Sequence, residues 1–314
     1  MSLAIPRWSD LWAEPHRRRG FFDYWRGMTA DDWRDLIAIA ILRRLPIDWA
    51  SGFGGASGSV RGPRVYRWAD GYARANLARL RPDLAEETRE RMLAERWRCV
   101  GRTMAEFSVS DRLIAEGRVD VSGEEHLAAA RARGRGVVIP ALHLGNWEVF
   151  AAVHKPGFRI SSFYQPRPTR GREHISQASR QRLGYKMLKP GPAGVRDALQ
   201  TLQGAEAVVI FVDEEVDSVV RGPLFGRAPH RGGNLAYAAR LAQRSGAAVV
   251  PGYVLRSQGA RHCVHFAPEV VLPASLEGAV AAINAAVEPV VLAHLDQWYH
   301  LHEQLTDTPP ADRL

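Results

Sequence analysis

Cysteine and lysine are the residues this chain has least of, and each scarcity excludes something. Its 314 residues include two cysteines, Cys99 and Cys263, far apart and outside any Cys-x-x-Cys or Cys/His ligand spacing. That removes a disulfide framework and a structural zinc site, and predicts two buried, reduced thiols. The only lysines are Lys155, Lys186 and Lys189, so the basic side is nearly all arginine. Long apolar runs are also missing: the best candidate, residues 36–42, falls far short of the roughly 18 residues a spanning helix needs. The first residues lack the unbroken apolar core of a secretory signal, which predicts the cytoplasm or its membrane face as the compartment.

What is present is a globular balance, 46% hydrophobic and 24% charged residues, with length for one large domain or two ordinary ones. Forty-two basic against 34 acidic side chains give a net charge of +8. A guanidinium fork grips phosphate well. Nucleic acid, an anionic membrane surface and a phosphorylated substrate all fit that charge, which does not choose among them.

The first fifty residues interleave Trp8, Trp12, Trp25, Trp33, Trp49, Phe21 and Phe22 with the basic run His16-Arg17-Arg18-Arg19. Indole rings settle at headgroup level and arginines meet anionic lipid, so residues 1–50 are expected to form an amphipathic membrane-interface segment. The plainer alternative is that these aromatics pack a helix onto the core. Residues 51–314 are expected to form a single α/β domain. Thr29 and Asp32 cap a helix through residues 35–45, and the glycine-rich residues 51–62 read as a flexible loop. Pro82-Asp83 with Glu86 starts a second helix, whose Leu93, Trp97, Val100, Met104 and Phe107 form one buried stripe. From Val119 onward, apolar runs at 137–139, 207–212, 247–254 and 263–266 alternate with helical patterns at 195–202 and 234–244. The end, 275–302, reads as helix with a bend at Pro289. The pattern predicts an α/β fold, a mostly parallel sheet flanked by helices, behind a helical N-terminal third.

The informative segment is Val137-Val-Ile-Pro-Ala-Leu-His143-Leu-Gly145-Asn146-Trp-Glu148, an apolar strand running into a histidine, a glycine turn and an acid. Ligands in α/β sheets collect at the carboxyl ends of strands. On one continuous helix, five residues would set His143 and Glu148 about 140° apart. They meet only across a turn at Gly145, where the carboxylate would orient the imidazole as a general base. On spacing alone, a purely structural His–Glu pair stays open.

His143-Leu-Gly-Asn-Trp-Glu148 resembles the His-x4-Asp/Glu block of the bacterial lipid A late acyltransferase family. Tyr164-Gln165-Pro166-Arg167 is similar to that family's Tyr-Arg-Pro block, and residues 209–214, ending in Asp213-Glu214, to its strand ending in Asp-Gln. Residues 223–229, with Gly226, resemble its Phe-Phe-Gly segment, while Asn284, Glu288, Gln297-Trp298 and His302 echo its C-terminal helix. The likeness spans residues 35 to 304. It implies a glycerol-3-phosphate acyltransferase-like fold and an enzyme that moves a fatty acyl chain from acyl carrier protein, or alternatively acyl-coenzyme A, to a hydroxyl. The implied acceptor is a lipid A precursor or related phosphorylated glycolipid at the cytoplasmic face of the inner membrane.

In that chemistry His143 deprotonates the hydroxyl and Glu148 holds the imidazole, while backbone N–H groups near Gly145 and Asn146, or an arginine, receive the oxyanion. Asn146, Arg167, Asp213, Glu214 and Gly226 are then the substrate-binding positions, with Asp213 or Glu214 offering a second carboxylate beside the histidine. Arg170 and Arg172 join Arg167 in a basic cluster suited to phosphate. No metal, cofactor or nucleic acid is expected.

Departures from the family pattern bear on attachment and acceptor. Arg34, Asp35, Arg43 and Arg44 flank the apolar run where the family carries a hydrophobic anchor, which predicts peripheral or shallow anchoring to an anionic surface. Gln165, Glu214, Arg231 and Glu303-Gln304 differ from the usual residues, so another lipid or a carrier-linked metabolite is the alternative acceptor. A serine hydrolase is disfavoured because no serine sits in a Gly-x-Ser-x-Gly elbow, and Gly52-x-Gly54-x-x-Ser57 is an incomplete dinucleotide motif. The non-enzyme alternative is a basic membrane-binding module. His154, His174, His262, His265 and His294 read as surface or packing residues.

Overall fold

The computed structural model describes residues 5–154, 158–216 and 219–305. A helical N-terminal third comprises α1 (Pro15–Arg26), α2 (Ala30–Leu42), α3 (Ile47–Val65), α4 (Arg67–Leu80), α5 (Glu86–Glu106) and α6 (Ser110–Ala115). There follow β1 (Val119–Ser122), α7 (Glu124–Ala132), β2 (Val137–Ala141), β3 (Ile160–Phe163), α8 (Arg170–Arg182), β4 (Lys186–Leu188), α9 (Pro192–Gln203) and β5 (Ala207–Phe211). A small hairpin, β6 (Glu215–Val216) and β7 (Val219–Val220), precedes α10 (Asn234–Ser245). The chain closes with β8 (Ala248–Val249), β9 (Gly252–Arg256), β10 (His262–Phe266) and α11 (Leu276–Ala293).

The main sheet runs β1-β10-β9-β2-β5-β3-β4, with β8 also beside β2, and only the β9–β10 pair is antiparallel. This is the mostly parallel α/β sheet expected from the alternating pattern. Successive side chains of a strand face opposite ways. Val138, Val208 and Ile210 accordingly enter one core with Leu235, Ala239 and Ile283, while Val137, Ile139 and Val209 enter the other with Phe150, Val264 and Phe266. Strands covered on both faces read as unbroken apolar runs, which is why 137–141 and 207–211 stand out in the sequence.

The glycine-rich residues 51–62 are not a loop but the body of α3. Each glycine costs helix about 1 kcal/mol relative to alanine, yet here the missing side chains are the packing surface. A Cβ on Gly54 would lie 2.4 Å from the Gly101 carbonyl oxygen, and one on Gly58 2.3 Å from that of Trp97. Backbone-to-backbone contact with α5 therefore overrides local propensity. On α5 itself, Leu93 and Trp97 are buried as expected, but Met104 is exposed. The inward face instead carries Arg96, Cys99, Thr103 and Glu106. Glu106 forms a buried ion pair with Arg256 and also accepts from Ser51 (2.6 Å) and Asn146 (3.1 Å). Cys99 is buried and Cys263 half-buried, both as free thiols.

Thr29 and Asp32 form the expected capping box of α2. Asp32 also accepts from the Gly171 N–H (2.9 Å), and the Arg170 guanidinium donates to the carbonyls of Asp23 (3.1 Å) and Tyr24 (3.0 Å). These bonds pin α1 and α2 to the start of α8. The expected C-terminal helix ends at Ala293, short of His302, and Pro289 lies inside it. Among the described residues α11 is the one helix long and apolar enough to cross a membrane, with mean hydropathy 1.5. It packs against α10, and its Asn284 and Glu288 receive the N–H groups of Leu224 (2.8 Å) and Phe225 (2.6 Å).

Candidate active site

β2 and β5 are parallel neighbours in a register that sets Ala141 opposite Phe211. Two residues beyond each strand end stand His143 and Asp213, and adjacency of the strands brings them together. His143 Nδ1 lies 2.9 Å from Asp213 Oδ1, and the His143 backbone N–H donates to Oδ2 at 2.8 Å. The Trp298 indole donates to the same Oδ2 at 2.9 Å. An ionised carboxylate only accepts, so the proton of the neutral imidazole sits on Nδ1 and Nε2 keeps its lone pair. Burial alone would raise the Asp213 carboxyl, but the His143 imidazole, the hydrogen bonds from His143 and the nearby His300 outweigh it and hold it below the usual carboxylate range.

The acid expected to orient the imidazole was Glu148, and this is corrected. Gly145 takes a positive φ of 53°, and Asn146 then caps a short 3-10 helix (Trp147–Val153), its side chain accepting from the Glu148 N–H at 3.2 Å. The turn commits the buried Glu148 carboxylate to Arg180 of α8, which donates to it from Nη2 (2.8 Å) and Nε (3.1 Å). Asn146 is corrected as well. Its amide is fully buried and donates to Glu106, so it is part of the packing rather than of an open surface.

The other sequence candidates divide. Arg167 has an exposed side chain, with Arg180, Glu148, Tyr299 and Glu214 as electrostatic neighbours. Arg170 and Arg172 leave the expected phosphate cluster: the first holds α1, and the second reaches Asp35 of α2 at 3.4 Å. Glu214 is half-buried and lies near Arg167 and Arg180 rather than on the imidazole. Gly226 has φ +82° with open space where a side chain would be, and its neighbour Phe225 packs on Trp298 at 5.6 Å. Its positive φ serves the turn after Phe225.

Sequence reasoning missed Arg180 and His300, and gave Trp298 and His302 only as positions of the resemblance, without their place in the site. Arg180 does not stand out in an arginine-rich chain. The segment 298–303 folds over the imidazole, held by Asn76 of α4 on the carbonyls of Leu301 (2.8 Å) and Glu303 (2.9 Å) and by Arg96 of α5 on that of Tyr299 (2.7 Å). It places Trp298 on Asp213 and the His300 ring 4.8 Å from that of His143. Phe211 stacks on the other side at 4.1 Å and Trp147 meets the ring edge-on at 5.0 Å. Burial, then the neighbouring His143, pushes the His300 imidazole down to about 3, so it is neutral at physiological pH. Beside this cage lies a small cavity of about 10 Å³, room for one water, between Trp147, Phe150, Met187, Val209 and Phe211 on one side and Glu148, Ser162, Arg180 and Tyr185 on the other.

An acid-oriented imidazole thus stands at the carboxyl edge of a mostly parallel sheet, the edge where α/β folds bind their ligands. Residues 23–307 match the family described as bacterial lipid A biosynthesis acyltransferase. The chain belongs to that family, and it is an acyltransferase. It is 24% identical over 288 residues to the lipid A biosynthesis palmitoleoyltransferase of Escherichia coli (strain K12), covering 89% of this chain and 92% of that one. To the lipid A biosynthesis lauroyltransferase of the same strain it is 25% identical over 246 residues, covering 74% and 78%. Among solved structures it is similar to the 1-acyl-sn-glycerophosphate acyltransferase of Thermotoga maritima, with TM-score 0.35, 14% identity, and coverage of 80% and 93%.

Proposed function

We propose that the chain transfers a fatty acyl group from the thioester of acyl carrier protein to a hydroxyl of a lipid A precursor or closely related phosphorylated glycolipid. The carrying observation is the His143–Asp213 pair just beyond the carboxyl ends of two adjacent parallel strands. His143 Nε2 takes the proton of the acceptor hydroxyl, the oxygen attacks the thioester carbonyl, and Asp213 holds the imidazolium that forms. Collapse of the tetrahedral intermediate releases the carrier thiol, and the proton on His143 goes to that leaving group. No acyl-enzyme is involved. The exposed guanidinium of Arg167 faces anionic parts of the reacting pair. Purified protein given acyl carrier thioester and hydroxylated glycolipid is expected to yield ester and free thiol together, read by mass spectrometry. Hydrolysis of the thioester without ester formation would count against a glycolipid acceptor.

The same reading places the chain on the cytoplasmic face of the inner membrane, held peripherally. Trp33, Ile37 and Ile41 recur every four residues along α2 and are all exposed, as are Trp49, Phe53 and Val60 on α3. With 3.6 residues per turn, the α2 set forms one stripe. Exposed Arg44, Arg61, Arg64 and Arg67 lie on or beside these helices. Apolar side chains flanked by arginines suit an anionic bilayer surface. Changing Ile37 and Ile41 together to Ser is expected to weaken binding to anionic vesicles at least roughly tenfold, since burying each large aliphatic side chain is worth about 1.5–3 kcal/mol. Unchanged vesicle sedimentation would remove α2 from the membrane contact.

A further inference from the structure

Buried polar atoms nearly always find a partner. His300 is 7% exposed, yet both of its ring nitrogens are unpartnered among the described residues. Its ligand atom lies, with His143 and Asp213, in a group whose members are all within 4.8 Å of one another. Two imidazoles and one carboxylate are a donor set that suits zinc, and three protein ligands with a fourth position left for solvent is a recurrent zinc arrangement. Asp213 also has the outer support that such ligands have, since its Oδ2 already accepts from the Trp298 indole and the His143 N–H.

We propose that His143, Asp213 and His300 form a transition-metal site, at which a divalent ion of the zinc type displaces the proton on His143 Nδ1 and silences the enzyme. Tetrahedral zinc with bonds near 2.1 Å needs its ligand atoms about 3.4 Å apart. The 2.9 Å Nδ1–Oδ1 separation opens slightly and rotation of His300 closes the remaining gaps. When the ion binds Nδ1, the imidazole proton moves to Nε2, and the lone pair that would take the hydroxyl proton is gone. Metal and hydroxyl activation are therefore mutually exclusive at one imidazole. The inhibition rests on the acyl-transfer reading; the binding does not.

The test is calorimetric titration of zinc chloride into the full-length, metal-stripped protein, with cobalt(II) as a spectroscopic probe. One site per chain, a tetrahedral cobalt spectrum, and affinity at least roughly tenfold weaker in His300→Phe and in Asp213→Asn are expected. Phenylalanine fills the space of the histidine, and thermal melts confirm that each variant is folded. Affinity unchanged in both folded variants would overturn the proposal. Zinc bound at this site without loss of turnover would keep the site and contradict His143 Nε2 as the base. Absence of binding would sink the site and leave the transfer reading untouched.

Discussion

His143→Ala is expected to lower acyl transfer by about 10²–10⁴-fold, the usual contribution of a positioned general base, with little change in melting temperature. The structure separates the two effects. Removing the ring takes one hydrogen bond from Asp213 Oδ1, but Oδ2 keeps its bonds to the backbone N–H of residue 143 and to the Trp298 indole. The buried carboxylate therefore retains two of its three donors, and the fold survives. The loss falls on turnover because the imidazole is the group that takes the hydroxyl proton. Steady-state rates with purified wild type and variant, beside their thermal melts, check this. A folded His143→Ala protein turning over within a few-fold of wild type would remove the residue as the base.

A large stability effect is expected at Glu148. Its side chain is 2% exposed and that of its partner Arg180 13%. Burial would lower the Arg180 guanidinium, but the adjacent carboxylate outweighs it and keeps the arginine above its ordinary value. Glu148→Gln leaves that charge uncompensated. Breaking such a pair costs about 3–5 kcal/mol, a fall in melting temperature on the order of 10 °C. Replacing both residues, Glu148→Gln with Arg180→Met, removes the stranded charge and is expected to recover much of the loss. Thermal denaturation of the three proteins decides it. A single variant melting within a degree or two of wild type, or a double variant no better than the single, would contradict a buried, mutually dependent pair.

How much of this was legible in the sequence follows from how far each interaction reaches along the chain. Strands covered on both faces announced themselves as apolar runs, and the histidine at the end of 137–141 and the acid at the end of 207–211 were both visible. Their pairing was not. Sequence proximity favoured Glu148, five residues from His143, whereas the contact that forms crosses 70 residues and depends on which strands lie side by side. The signal was there in a weaker form, since each residue stands two positions past the end of its strand. The glycines of α3 misled for the opposite reason. Local propensity reads them as loop, and only the close face of α5 shows why they are helical. The resemblance marked Trp298 and His302, but the fold of 298–303 over the imidazole was hidden because its anchors, Asn76 and Arg96, bind backbone carbonyls, and carbonyls carry no residue signature.

The lipids of the cell carry the most direct record of the reaction. Mass spectrometry of total membrane lipid from strains with and without the gene, and with the His143→Ala allele restored, names acceptor and added chain together. The expected result is a phosphorylated glycolipid lighter by one fatty acyl ester in both the deletion and the His143→Ala strain, regained with the wild-type gene. Identical glycolipid profiles in all strains, with the protein present and membrane-bound, would contradict it.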